Sequence, residues 1–116
     1  MSEYQIYHNP RCSKSRATLA LLQEHGIEPE IVLYLDRPPS QAALKRLLAQ
    51  LGISAAELVR RGEAEYQELG FGAGSSQADL LGAMAAHPKL IERPIVVRGE
   101  RAVLGRPPEN VLALLA

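Results

Sequence analysis

The stretch "YHNPRCSKSR", residues 7–16, contains the single cysteine of this 116-residue chain. Cys12 is flanked by Arg11 and Lys14, with Arg16 four residues after it and His8 four residues before it. A thiol reacts as its thiolate, and an unperturbed thiol of pKa about 8.5 is only a few per cent ionised near neutrality. Positive charge and the unpaired N–H groups of a helix N-terminus both favour the anion. Most lone cysteines are small core residues, but N-P-R-C-S-K-S-R is too polar for a core position. Cys12 is therefore read as a nucleophile. Arg11, Lys14, Arg16, donors near Ser13 and Ser15, and a protonated His8 are the neighbours able to act on it. His8 reads equally well as a hydrogen-bonded residue closing a strand.

Spacing narrows the chemistry further. Cys12 to Ser15 is C-x-x-S, so the second thiol of a dithiol oxidoreductase is missing and a mixed disulfide on Cys12 needs an external thiol. Thr18 stands where a C-x₅-R phosphatase loop has its arginine. His8, His25, His87 and Cys12 do not supply paired ligands at short spacing, so no metal site is expected.

The whole chain bounds the rest. Thirteen basic and thirteen acidic residues cancel, and tryptophan is absent, which speaks against a nucleic-acid surface. A lone cysteine suits a reducing compartment. The opening "MSEYQIYHNP" has no basic n-region or long apolar run, and no stretch of about 18 apolar residues follows. A cytoplasmic protein with no membrane association is expected.

The elements that must position Cys12 follow from periodicity. Residues 4–7 alternate as a strand stopped by Asn9-Pro10. A helix from about Ser13, with Ala17, Ala20, Leu21 and Leu22 facing inward, ends near His25-Gly26. "EIVLYL", residues 30–35, reads as a strand covered on both faces. Ser40 caps a helix whose inward face is Leu44, Leu47, Leu48 and Leu51 and which Gly52 ends. Short helices are predicted over 54–60 and 64–69, a loop at "GFGAGSS", and a helix over 77–87. "PIVVR" and "RAVLG" form a hairpin turning at Gly99-Glu100, and a helix over 108–115 closes the chain. The order β-α-β, helices, β-β-α predicts an α/β fold: a thioredoxin-like four-stranded mixed sheet. One domain over residues 1–116 is expected, with a helical insertion over about 40–87 between the βαβ and ββα halves.

"YHNPRCSKSRATLALL", "LYLDRPPS", "ERPIVV" and "GRPPENVL" together resemble the glutaredoxin-dependent arsenate reductase (ArsC-like) family, nearly end to end. The resemblance implies an oxidoreductase of arsenic detoxification with the thioredoxin-like fold. It makes Cys12 the nucleophile and His8 a group that helps to activate it. Three arginines would hold the oxyanion: Arg60, which fits better than its neighbour Arg61, then Arg93 of the R-P-I motif and Arg106 of the G-R-P motif. Guanidinium forks suit a tetrahedral oxyanion, and Arg93 and Arg106 each precede a proline that restricts their backbone. Pro94 is the expected cis-proline, with Ser15 and Arg16 in support. The implied reaction is attack of Cys12 on arsenate, or a similar oxyanion, followed by reduction to arsenite. The reductants are glutathione and glutaredoxin, and no cofactor is held on the chain. Two other readings stay open: an Spx-like redox or protein-interaction regulator, and a glutathione-dependent thiol enzyme with another substrate.

Overall fold

Strand β1 (Tyr4–Tyr7) turns Tyr4 and Ile6 into the core and leaves Gln5 and Tyr7 half-buried, the period-2 pattern of a strand. It is one strand of a computed structural model that describes residues 3–60, 62–70 and 75–115. Helix α1 (Ser13–Glu24) follows, then β2 (Glu30–Val32), β3 (Ile95–Arg98) and β4 (Arg101–Leu104). The sheet order is β2-β1-β3-β4. β1 pairs with β2 in parallel, and β3 is antiparallel to both β1 and β4. This is the predicted thioredoxin-like sheet. Tyr4, Ile6, Leu22, Val96, Val111 and Leu114 form a buried cluster, which joins the sheet to α1 and the 3₁₀ helix Pro108–Leu114. The hairpin turns at Gly99, whose φ of 61° glycine adopts without strain.

The chain divides into two compact units, Met1–Arg37 with Arg93–Ala116, and Pro38–Glu92. In the second unit, Ser40 accepts the Ala43 N–H at 3.1 Å to cap α2 (Gln41–Leu51), and Gly52 ends the helix with a left-handed φ of 71°. Leu44, Leu47 and Leu48 are buried, as predicted, and Leu51 is half-buried. α3 (Ala55–Leu58) begins with the Glu57 carboxylate accepting both the N–H and the hydroxyl of Ser54 at 3.1 Å. α4 (Ala64–Glu68) and α5 (Gln77–Ala86) complete the helices, before a 3₁₀ turn over Pro88–Leu90. Most of the glycine-rich stretch expected to be a loop, residues 71–74, lies outside the described residues.

Three expectations are corrected. The second strand stops at Val32 and lies at the sheet edge, so it is not covered on both faces, and Ile31 is 47% exposed. Residues 33–37 form a turn in which the Asp36 and Arg37 N–H groups donate to the Leu33 carbonyl, while Tyr34 folds inward. The buried side of α1 is Ser15, Thr18 and Leu22; Ala17 and Ala20 face solvent. Polar residues occupy that stripe because each hydroxyl has an internal partner. The closing helix is 3₁₀ and not α.

Thr18 shows how tight that stripe is. Its hydroxyl donates to the Lys14 carbonyl at 2.8 Å and lies 3.4 Å from the Gly105 carbonyl. A Cβ on Gly105 would stand 2.6 Å from Thr18 Oγ1 and 2.8 Å from Pro94 Cγ. A buried β-branched residue and a proline ring have little freedom to give way. Gly105→Ala is therefore expected to lower stability by about 1–3 kcal/mol, the range of overpacked cores, read as a lower urea midpoint. An unchanged midpoint would mean that this corner can open.

Candidate functional site

The register of the sheet puts Val32, Tyr7, Ile95 and Leu104 in one row across all four strands. His8, Pro94 and Gly105 are the next residues beyond that row, with Arg93 and Arg106 one further out. The candidate residues of the first unit, distant in sequence, thus gather at one end of the sheet.

Beyond β1 the chain makes a tightly bonded turn. Cys12 N–H donates to the Asn9 carbonyl at 3.0 Å, and Arg11 N–H donates to Asn9 Oδ1 at 3.0 Å. The Asn9 side chain thereby mimics a backbone turn. Arg16 Nη1 reaches back to the Pro10 carbonyl at 2.8 Å. Cys12 is the N-cap of α1, half-buried and free, and its carbonyl accepts the Arg16 N–H at 3.0 Å. The N–H groups of Ser13, Lys14 and Ser15 are those that a helix leaves without intrahelical acceptors, and the dipole adds positive potential beside the thiol.

Ser15 joins this turn to the sheet. Its hydroxyl is 2.6 Å from His8 Nδ1 and accepts the Asn9 N–H at 3.0 Å. His8 N–H in turn donates to the Val32 carbonyl at 2.9 Å. Burial, and secondarily the Arg16 charge, hold His8 below the ordinary histidine value of 6.5. A neutral ring can take the Ser15 proton at Nδ1, so the polar group nearest the turn is a hydrogen-bond partner. Of the two roles the sequence offered for His8, this contact is the one of a hydrogen-bonded residue closing the strand.

At the other strands, both Arg93-Pro94 and Arg106-Pro107 are cis; the first was expected and the second was not. Arg106 Nη1 donates to the Arg93 carbonyl at 3.1 Å, and the Gly105 N–H donates to the Pro94 carbonyl at 2.9 Å. The two Arg-Pro corners are therefore bonded to each other. Arg93 Nε is buried without a hydrogen-bond partner, a donor that a bound anion would satisfy.

Arg60 belongs to the second unit. Val59 bridges Ile91, and Arg60 N–H donates to the Leu90 carbonyl at 2.6 Å. Its guanidinium is ion-paired with Glu63 at 3.0 Å and Glu92 at 3.1 Å. Arg61, the alternative to it, lies outside the described residues. Asn9, Thr18 and Gly105 were not singled out from the sequence as parts of the site. For Thr18, its place three residues after Ser15 and four before Leu22, on one face of the helix, was the signal available.

Lowered pKa values have a sign. The unfolded chain protonates His8 near the ordinary value while the folded chain resists, so this residue's contribution to stability is present above about pH 6.5 and is lost as the pH falls through the folded value. An NMR titration should place His8 below 6.5, and Arg16→Gln should raise it only part of the way back, since burial is the larger cause. A midpoint at or above 6.5 would remove the neutral-ring reading.

The model of the ArsC family matches residues 7–114. The chain is 54% identical to the uncharacterized protein YfgD of Escherichia coli (strain K12), over 97% of both. It is 49% identical to the arsenate reductase of Neisseria meningitidis serogroup A, over 99% of this chain and 100% of that one. The solved arsenate reductase from Vibrio cholerae is similar at a TM-score of 0.92 and 52% identity, covering 95% of each chain. Matched almost from end to end, the chain belongs to the ArsC family.

Proposed function

We propose that this protein is an arsenate reductase in which Cys12 is the nucleophile. The observation that carries the reading is the convergence at one end of the sheet. The only thiol of the chain caps α1 there, and a buried, unpartnered Arg93 Nε and the Arg106 guanidinium stand off the neighbouring strands. Relatives named arsenate reductase at 47–49% identity support it.

In this reading Arg93 and Arg106 hold the arsenate oxygens by charge-assisted hydrogen bonds, the role that the sequence resemblance also gives to Arg60. Cys12 thiolate attacks arsenic, an As–S bond forms, and one oxygen leaves as water. Arsenic(V) then takes up two electrons as two external thiols become one disulfide, and water cleaves the As–S bond to Cys12, releasing arsenite and restoring the thiol. Glutathione and glutaredoxin are the proposed thiol donors, because C-x-x-S offers no second cysteine. His8 and Ser15 hold the turn that presents Cys12, Arg16 ties the turn together through the Pro10 carbonyl, and Pro94 seats Arg93. Glu63 and Glu92 orient Arg60. The lone thiol and its external reductants suit the cytoplasm.

The test is NADPH consumption with arsenate, glutathione, glutaredoxin and glutathione reductase. Turnover should vanish in Cys12→Ser. It should fall roughly 10- to 100-fold in kcat/KM for Arg93→Ala or Arg106→Ala, the loss of one hydrogen bond to a charged group. Absence of arsenate-dependent turnover in the wild type would reject the activity, and unchanged kcat/KM in both arginine variants would move the oxyanion site elsewhere.

A further inference from the structure

A cleft of about 340 Å³ lies against the thiol-bearing turn, near the lower end of small-ligand sites. One wall is His8, Asn9, Pro10 and Arg11, the residues that lead directly to Cys12; the other is Leu33, Leu35 and Asp36, the turn after β2. The sheet order gives this position meaning. The turn follows β1, with β2 on one side and β3 and β4 on the other. Arg93 and Arg106 extend from the β3–β4 side, and the cleft opens on the β2 side, so the turn that leads to Cys12 runs between a cationic corner and an otherwise unassigned cavity.

The walls differ from those of an oxyanion site. Arg11 and Asp36 present opposite charges, both exposed and neither in an ion pair among the described residues. Leu33 and Leu35, 38% and 37% exposed, leave apolar surface beside them. An inorganic anion would meet Arg11 but be repelled by Asp36. A neutral thiol would leave both charges unanswered. A small peptide thiol answers all three features, with a carboxylate for Arg11, an ammonium for Asp36 and methylene groups for the leucines.

We infer that this cleft binds the reducing co-substrate, a zwitterionic peptide thiol of the glutathione class, on the side of Cys12 opposite the arginine corner. The inference rests on the thiol-dependent reading of the site and names where its first external thiol sits.

The test uses no arsenate, so its outcome is separate from that of the reductase assay. S-methylglutathione, which cannot exchange, is titrated into ¹⁵N-labelled Cys12→Ser protein. Shift changes should centre on residues 9–11 and 33–36, and affinity should fall about fivefold in Asp36→Asn and in Arg11→Gln, the upper range for one exposed ion pair. Shifts centred on residues 93–94 and 105–106, or none at millimolar ligand, would overturn the assignment. A second measurement uses the native thiol: Cys12 thiolate attacks glutathione disulfide, giving a Cys12–glutathione disulfide and one released glutathione thiolate. The rate preference for glutathione disulfide over the neutral 2-hydroxyethyl disulfide should fall by about the same factor in Asp36→Asn. An unchanged preference would also overturn it.

Discussion

Ser15 has no exposed surface, and its hydroxyl sits between the His8 ring at 2.6 Å and the Asn9 N–H at 3.0 Å. That one oxygen fastens the first turn of α1 to the end of β1, and the turn bearing Cys12 is what lies between them. A buried hydrogen-bonded pair is costly to leave half-made, so the turn has one favoured arrangement and not several. Burial of the ring also bears on its protonation. Keeping the imidazole buried beside Arg16 favours its neutral form, which is the form able to accept the Ser15 hydrogen at Nδ1.

A second constraint faces the first across the sheet end. Thr18, Gly105 and Pro94 leave no room for an added Cβ, so the helix that begins at Cys12 and the corners that carry Arg93 and Arg106 are held at van der Waals distance. The helix supplies the thiol and the hairpin supplies the cations. Glycine at 105 is required by close approach, not by a left-handed backbone. The arginines differ in what they already hold: Arg60 is matched by two carboxylates within its own unit, whereas Arg93 keeps a buried donor without a partner. A buried N–H with no acceptor is unfavourable in a folded protein, and an oxyanion bound there would relieve that cost.

The chemistry also places demands on the two sides of the turn. An arsenic centre reduced by two electrons must meet an oxyanion-holding group and a source of thiol, and a chain with one cysteine cannot provide the latter itself. A sheet in which β1 is internal offers two flanks to the residue that follows it. One flank carries Arg93 and Arg106, and the other carries a pair of opposite charges on apolar surface.

Much of this was legible in the linear order. Alternation at β1, the caps at Ser40 and Gly52, the Gly99-Glu100 turn and the R-P dipeptides are local signals, set by backbone sterics and short-range hydrogen bonds, and they led to the sheet and to the basic environment of Cys12. Local signals failed where neighbours decide. "EIVLYL" looks like a covered strand, yet an edge position supplies one partner strand only, and the chain leaves the sheet after Val32. Ser15 and Thr18 look like surface residues of a helix, yet partners from β1, from the preceding helical turn and from the 105 corner satisfy their hydroxyls internally. The sequence by itself determined which chemistry was possible, because one thiol, its basic neighbours and the missing second cysteine are facts of composition and spacing. Only the tertiary structure decided the burial of His8, the close approach at Gly105 and the orphaned Arg93 donor. Burial and packing distance are properties of residues brought together from far apart in the chain.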